Sequence, residues 1–232
     1  MPDAQLFCFT FAGGAASFFD TIDGDFRNLD LVKIEYPGHG SRHKEQLLTD
    51  PEALAEDAFQ QMEKHYSGGR YGLFGYSMGA VTLIEVLRHI LSKREMIRPS
   101  HVFLAAHEPH TKTELEGFAE DRLDLWIKER TLQFGGIPDK LIHNDTFWRM
   151  YLPIYRADYT LIKNYRFEEI TLKTKIPATI FYSETDTPKR EMKKWSKYFI
   201  GDCGYYCFEG NHFFIRDHHT EIAQIIMDKL KA

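Results

Sequence analysis

Ser77 lies in Gly75-Tyr76-Ser77-Met78-Gly79, a G-x-S-x-G pentapeptide. Serine at that spacing can act as a nucleophile. The turn lifts Oγ above a sheet and sets it beside a helix N-terminus, where backbone N–H groups can hold a developing oxyanion. The two glycines have a mechanical reason, since a side chain at either would collide with the neighbouring strand or helix. The bare pentapeptide is modest evidence. With glycine near 7% of average sequence, it arises by chance in roughly one chain in ten or twenty of this length. Its surroundings strengthen it: Tyr71 to Phe74 have strand composition, and Val81 to Leu91 read as a buried helix. The competing reading is an ordinary tight turn.

A serine nucleophile needs a base, and the base needs an acid to orient it. Asp186 lies in Glu184-Thr185-Asp186-Thr187-Pro188, a turn after an apolar run. It competes with Glu184, and with a role as an Asx-turn or cap for a helix over 189–200. His212 lies in Glu209-Gly210-Asn211-His212-Phe213-Phe214. The order Ser77, Asp186, His212 is that of α/β-hydrolases. His39 precedes the serine, and His218 and His219 fall in the cap region of the last helix, so each fits less well. The oxyanion donors are expected from the Met78 N–H and from Ala12 or Gly13, in the Gly-Gly loop after the first strand. His107 and His110 lack a third ligand at metal-site spacing and read as a polar strand-end loop near the site.

These residues need a scaffold that brings strand ends together. Apolar runs at 5–11, 29–36, 71–74, 101–106, 177–183 and 204–208 read as strands. Helical patterns lie between them, the first opened by Asp50 as N-cap and Pro51 at the first helical position. The last helix is expected from about His219 to Leu230. The alternation predicts an α/β fold, a mostly parallel sheet with helices on both faces. Residues 111–174 break it. They are aromatic-rich and helical, and read as a lid inserted into a single domain spanning 1–232.

At 43% hydrophobic and 14% aromatic, 232 residues can bury a sizeable core. A net charge of −5 gives no reason to expect nucleic acid, and no run is long enough to span a membrane. Three cysteines in no dense pattern, and no secretory signal, suit the cytoplasm. Monomer is the default.

Several segments together resemble the type II thioesterases, stand-alone α/β-hydrolases associated with non-ribosomal peptide and polyketide synthases. Phe9-Thr10-Phe11-Ala12-Gly13-Gly14 is similar to F-P-x-A-G-G, Tyr36-Pro37-Gly38-His39-Gly40 to the P-G-x-G loop, and Gly75 to Gly79 to G-H-S-M-G. Gln133 to Pro138 resembles L-G-G-x-P, Leu152 to Tyr159 resembles L-P-x-x-R-A-D-[FY], and Gly210 to Phe214 resembles G-G-H-F-F. The departures are Thr10 for Pro, Tyr76 for His, Ser183 for Gly and Asn211 for Gly; they bear on pocket shape. The resemblance implies a serine thioesterase. Its substrates would be acyl groups on the phosphopantetheine arm of an acyl- or peptidyl-carrier protein, and it would clear misloaded or stalled groups from a synthase. The chemistry calls for no metal or bound organic cofactor. Carrier docking is expected at the lid and at the loop His39 to His43, with Arg42 and Lys44 as candidate contacts. The alternatives are a general carboxylesterase acting on small oxygen esters, and a non-catalytic binding protein on the same fold.

Overall fold

The computed structural model describes residues 4–93, 98–110 and 120–231. Strands β1 (Ala4–Phe9), β2 (Leu29–Lys33), β3 (Tyr71–Tyr76), β4 (His101–Ala105), β5 (Ala178–Tyr182) and β6 (Cys203–Cys207) form one sheet. All pairings are parallel, in the order β2-β1-β3-β4-β5-β6. β1, β3, β4 and β5 are buried throughout, while the outermost β2 and β6 are only half-buried. The continuous apolar runs therefore mark strands covered on both faces. β1 and β2 end sooner than their apolar runs, because Thr10 to Ala15 and Ile34 to Tyr36 already belong to connecting loops.

Two helices cover one face, α2 (Pro51–His65) and α3 (Met78–Ser92). The other face carries the short α1 (Asp20–Asp23) and the long α8 (Ile215–Lys231). Asp50 caps α2, its carboxylate accepting the Ala53 N–H at 2.8 Å; such a cap is worth about 1 kcal/mol. The helix expected at 189–200 is split into α7 (Lys189–Met192) and a 3₁₀ segment, Lys193–Lys197, which buries Trp195. α8 starts earlier than its apolar pattern suggests. His218 leaves helical geometry (φ −118°, ψ 19°), so a first turn from Ile215 is joined across a kink to the periodic part.

The connection between β4 and β5 holds α4 (Glu120–Phe134), α5 (Asp139–Ile142) and α6 (Asp145–Asn164). Residues 111–119, the start of the expected insertion, lie outside the described ones. Ile127, Trp148, Tyr155 and Tyr159 form a small core of their own, apart from the clusters on the two sheet faces. The far end of α6 joins the main core through Leu161.

β1 leads outward to β2, and the chain then returns past β1 to β3. The two neighbouring strands therefore send their C-terminal connections in opposite directions, opening a crevice at their carboxyl ends. The Gly-Gly loop after β1 and the serine turn after β3 flank that crevice.

Candidate active site

Ser77 occupies the turn between β3 and α3 with φ 54° and ψ −120°. Such backbone costs roughly 1–3 kcal/mol and persists only where its surroundings enforce it. Here the close approach of the glycines enforces it. A Cβ on Gly75 would stand 2.5 Å from the Gly79 carbonyl oxygen, and one on Gly79 would stand 2.1 Å from that of Phe9. The turn packs directly onto β1 because neither residue has a side chain.

Ser77 Oγ lies 2.9 Å from His212 Nε2. His212 Nδ1 lies 2.9 and 3.1 Å from the two carboxylate oxygens of Asp186. All three side chains are at least nine-tenths buried. With Asp186 ionised, Nδ1 donates to it and Nε2 is left to accept the serine hydroxyl. The sequence order thus brings together the three side chains it names. The rivals lie elsewhere. His39 pairs with Asp158, His218 Nε2 is 3.0 Å from the Glu209 carbonyl, and His219 Nδ1 is 2.5 Å from Asp25. Glu184 is exposed and turned to the Lys189 N–H at 3.4 Å.

Three of the four departures from the family pattern converge on the histidine loop. The Tyr76 hydroxyl donates to the His212 carbonyl at 2.5 Å. Burial pushes its ionisation well above the ordinary tyrosine range, and the nearby Asp186 charge adds to this, so it stays a donor. The Ser183 and Thr185 hydroxyls both donate to the Gly210 carbonyl, at 2.5 and 2.6 Å, tying the aspartate loop to the histidine loop. Asn211 Oδ1 accepts the Phe213 N–H at 2.9 Å. The fourth departure, Thr10, has a buried Oγ1 with no hydrogen-bond partner among the described residues.

The expected oxyanion donors separate into two kinds. Met78 is the first residue of α3, so its N–H has no intrahelical partner. The Gly13 N–H, however, donates to Asp158 Oδ2 at 2.6 Å. Gly13 is therefore corrected as a donor: the carboxylate from α6 claims its N–H, and Ala12 is left as the loop's candidate. Gly13 holds φ +74° in a turn closed by Gly14 N–H to Phe11 carbonyl, 2.9 Å. The positive φ at the third turn position is what glycine supplies.

A cavity of about 320 Å³ opens beside Ser77. Phe11 and Ala12 line one side, and Trp126, Phe134, Tyr155 and Tyr159 the side toward α4 and α6. The Phe134 ring stacks on the His212 imidazole with centroids 4.0 Å apart. Sequence patterning places Phe134 in an apolar stripe but gives no signal that it would meet the histidine. Gly135 and Gly136 follow, and a Cβ on Gly136 would stand 2.4 Å from the Phe213 ring, so glycine lets this helix end close on the histidine loop. His107, Glu108 and His110 form the far wall. Burial drives His107 well below the usual histidine range, and His110 and His212 push the same way. It faces the site as a neutral ring. Arg42, expected as a docking contact, is an internal staple: its guanidinium binds both Asp57 oxygens at 2.6 and 2.8 Å and also pairs with Glu45. Lys44 is exposed.

A buried serine, imidazole and carboxylate in line, under an aromatic cover and at the N-terminus of α3, is suited to acyl transfer through a tetrahedral intermediate. A family model for a thioesterase domain matches residues 4–230. The chain is similar to thioesterase PikA5 of Streptomyces venezuelae, with 27% identity over 97% of this chain and 80% of that protein. It is similar in structure to BorB, described as a type II thioesterase from the borrelidin biosynthetic cluster, at 27% identity and a TM-score of 0.82, covering 98% of this chain and 92% of that one. RedJ, a thioesterase of the prodiginine pathway in Streptomyces coelicolor, aligns at 26% identity and a TM-score of 0.84 over 98% of this chain and 86% of its own. Among the described residues no helix is long and apolar enough to cross a membrane. The chain belongs to the thioesterase family and is a thioester hydrolase on an α/β-hydrolase fold.

Proposed function

We propose that Ser77, His212 and Asp186 are the catalytic triad, and that the substrate is an acyl group held as a thioester on the phosphopantetheine arm of a carrier protein. The observation that carries the first part is the 2.9 Å contact of Ser77 Oγ with His212 Nε2, continued to Asp186 from Nδ1. His212 takes the Ser77 proton as Oγ bonds to the thioester carbonyl carbon. The oxyanion is held by the N–H groups of Met78 and Ala12, a stabilisation of about 3–4 kcal/mol per donor. The C–S bond breaks and the imidazolium returns the proton to the departing sulfur. A thiol, with pKa near 8.5, leaves readily. Water, deprotonated by His212, then attacks the acyl carbonyl; the acyl–Oγ bond breaks, the imidazolium returns its proton to Ser77 Oγ, and the free acid is released. Asp186 holds the imidazole tautomer throughout and stabilises the imidazolium.

Helices α4 to α6, within 111–174, act as a lid. They supply the aromatic wall, and Phe134 keeps bulk water off the base. The carrier reading rests on relatives named for biosynthetic clusters and pathways, such as BorB and RedJ. In that setting the enzyme works in the cytosol, clearing stalled or misloaded acyl groups.

The test is release of free acid from acetyl- and short-chain acyl-carrier proteins, beside the matched coenzyme A thioesters and nitrophenyl esters. A kcat/KM at least tenfold higher on the carrier is the expected result. Equal or faster turnover of the oxygen esters would overturn the carrier reading and leave a general esterase.

A further inference from the structure

A second buried histidine–carboxylate pair lies on the other side of the oxyanion loop. Asp158 is 2% exposed and His39 3%. They come from segments far apart in the chain, α6 and the loop after β2. Asp158 Oδ2 lies 3.0 Å from His39 Nε2 and also accepts the Gly13 N–H at 2.6 Å. His39 Nδ1 lies 3.0 Å from the Pro37 carbonyl. A carbonyl only accepts, so Nδ1 carries a proton. A neutral ring would then point a bare Nε2 lone pair at a carboxylate oxygen. Both contacts are satisfied when the ring is an imidazolium and Asp158 an anion.

From this geometry, and resting on the triad reading above, we propose that His39 and Asp158 are positioning residues for the thioesterase reaction: the ion pair docks α6 on the β1 loop and fixes the turn that presents the Ala12 N–H.

The turn can be fixed in only one way. Its central peptide, Ala12–Gly13, could rotate and present the Ala12 carbonyl in place of the Gly13 N–H. A carboxylate at that spot accepts the N–H and repels the carbonyl. Tyr155, one helical turn before Asp158, closes the same face: a Cβ on Gly13 would stand 2.2 Å from its ring. A second carboxylate braces the loop from behind, Glu35 accepting the Ala16 N–H at 2.8 Å and the Ser41 N–H at 3.0 Å.

The arrangement has a pH sense. The groups facing His39 are Asp158 from α6, and Glu35 and the edge-on Tyr36 ring from its own loop. Burial alone would lower the imidazole, but Asp158, the Pro37 carbonyl and Glu35 outweigh it and hold it above the usual histidine range. A raised folded value means the protonated His39 ring contributes fully below the ordinary histidine value, and that contribution is lost as pH rises through the raised one. The turn therefore loosens on the alkaline side.

The test compares wild type, Asp158→Ala, Asp158→Asn, His39→Gln and Ser77→Ala in the full chain. Each is assayed on an acyl-pantetheine thioester across pH, with binding of a trifluoromethyl ketone and of the inert alkyl thioether of the same chain length. The ketone forms a tetrahedral oxyanion adduct with Ser77; the thioether reports ground-state binding. Asp158→Ala is expected to lower kcat and ketone affinity about 10²-fold. KM and thioether affinity should stay within about threefold, the separation expected for an interaction used only in the transition state. Asp158→Asn should lose less, because its amide oxygen still accepts from Gly13. The fall in wild-type kcat at alkaline pH should vanish in Asp158→Ala and His39→Gln. Equal loss of ketone and thioether affinity, or a wild-type alkaline limb in both variants, would overturn the proposal. If Asp158→Ala fails to fold, the alkaline limbs of Asp158→Asn and His39→Gln decide in the same way. Turnover surviving in Ser77→Ala would instead sink the triad reading, so the two failures are distinguishable.

Discussion

Ser77→Ala is expected to lower kcat on an acyl thioester by at least ~10⁴-fold while leaving the unfolding midpoint within about 0.5 kcal/mol of wild type. The size follows from the division of labour in the site. Without Oγ no acyl-enzyme can form, and the residual rate must come from the oxyanion donors acting on direct attack by water. The small effect on stability follows from what the serine does structurally. Its backbone, not its hydroxyl, joins β3 to α3, and alanine meets the same φ of 54° at a similar cost. The check pairs steady-state kinetics with mass spectrometry of the acyl-enzyme after rapid quench. An unchanged kcat, or an acyl adduct on another residue, would remove Ser77 as the nucleophile.

Gly79→Ala is expected to do the reverse, striking stability first. The new methyl would lie 2.1 Å from the Phe9 carbonyl oxygen and 2.8 Å from that of Thr10. Both are backbone atoms of the central sheet and its outgoing loop, so no side chain can rotate away. Relief needs α3 to lift from β1, opening a packed interior. A loss of about 3 kcal/mol or more is expected, read as a lower urea midpoint. Gly24→Ala is the control: its φ is −62° and nothing lies within 4 Å of the added Cβ. It should be neutral, or stabilising by up to about 1 kcal/mol. Equal midpoints for the two variants would show that the elbow does not depend on the close approach.

The contrast also explains what could be read from sequence. Ser77 and His212 are legible because each sits in a short segment whose glycines and aromatics are demanded by local geometry. Asp186 is legible through order along the chain and a turn after an apolar run. The sheet is legible because strands covered on both faces are apolar without interruption. Strand order is not, since nothing within β3 records that it pairs with β1 on one side and β4 on the other.

Residues whose partners lie far away in the chain are the ones misjudged. Arg42 looks like a surface cation, but Asp57, fifteen residues on, turns it inward. His39 looks like a weak candidate base, and only folding brings it to Asp158, 119 positions later. Gly13 looks like an oxyanion donor until the same carboxylate is seen to hold its N–H. Tyr76 reads as a substitution before Ser77, and its partner is the carbonyl of His212.

The seating of the triad across the sheet has a further consequence. Ser77 hangs from β3, paired on both sides and fully buried, whereas His212 follows β6, the half-buried outermost strand. An outer, half-buried strand is expected to open more readily than an inner one. The weak support is reinforced by the Tyr76, Ser183 and Thr185 hydroxyls, which fasten the histidine loop back to the interior. Activity and fold are therefore expected to separate on warming. A subglobal opening that frees β6 and its loop can silence the enzyme while the rest of the sheet remains native, and reclosing restores the site without refolding the chain.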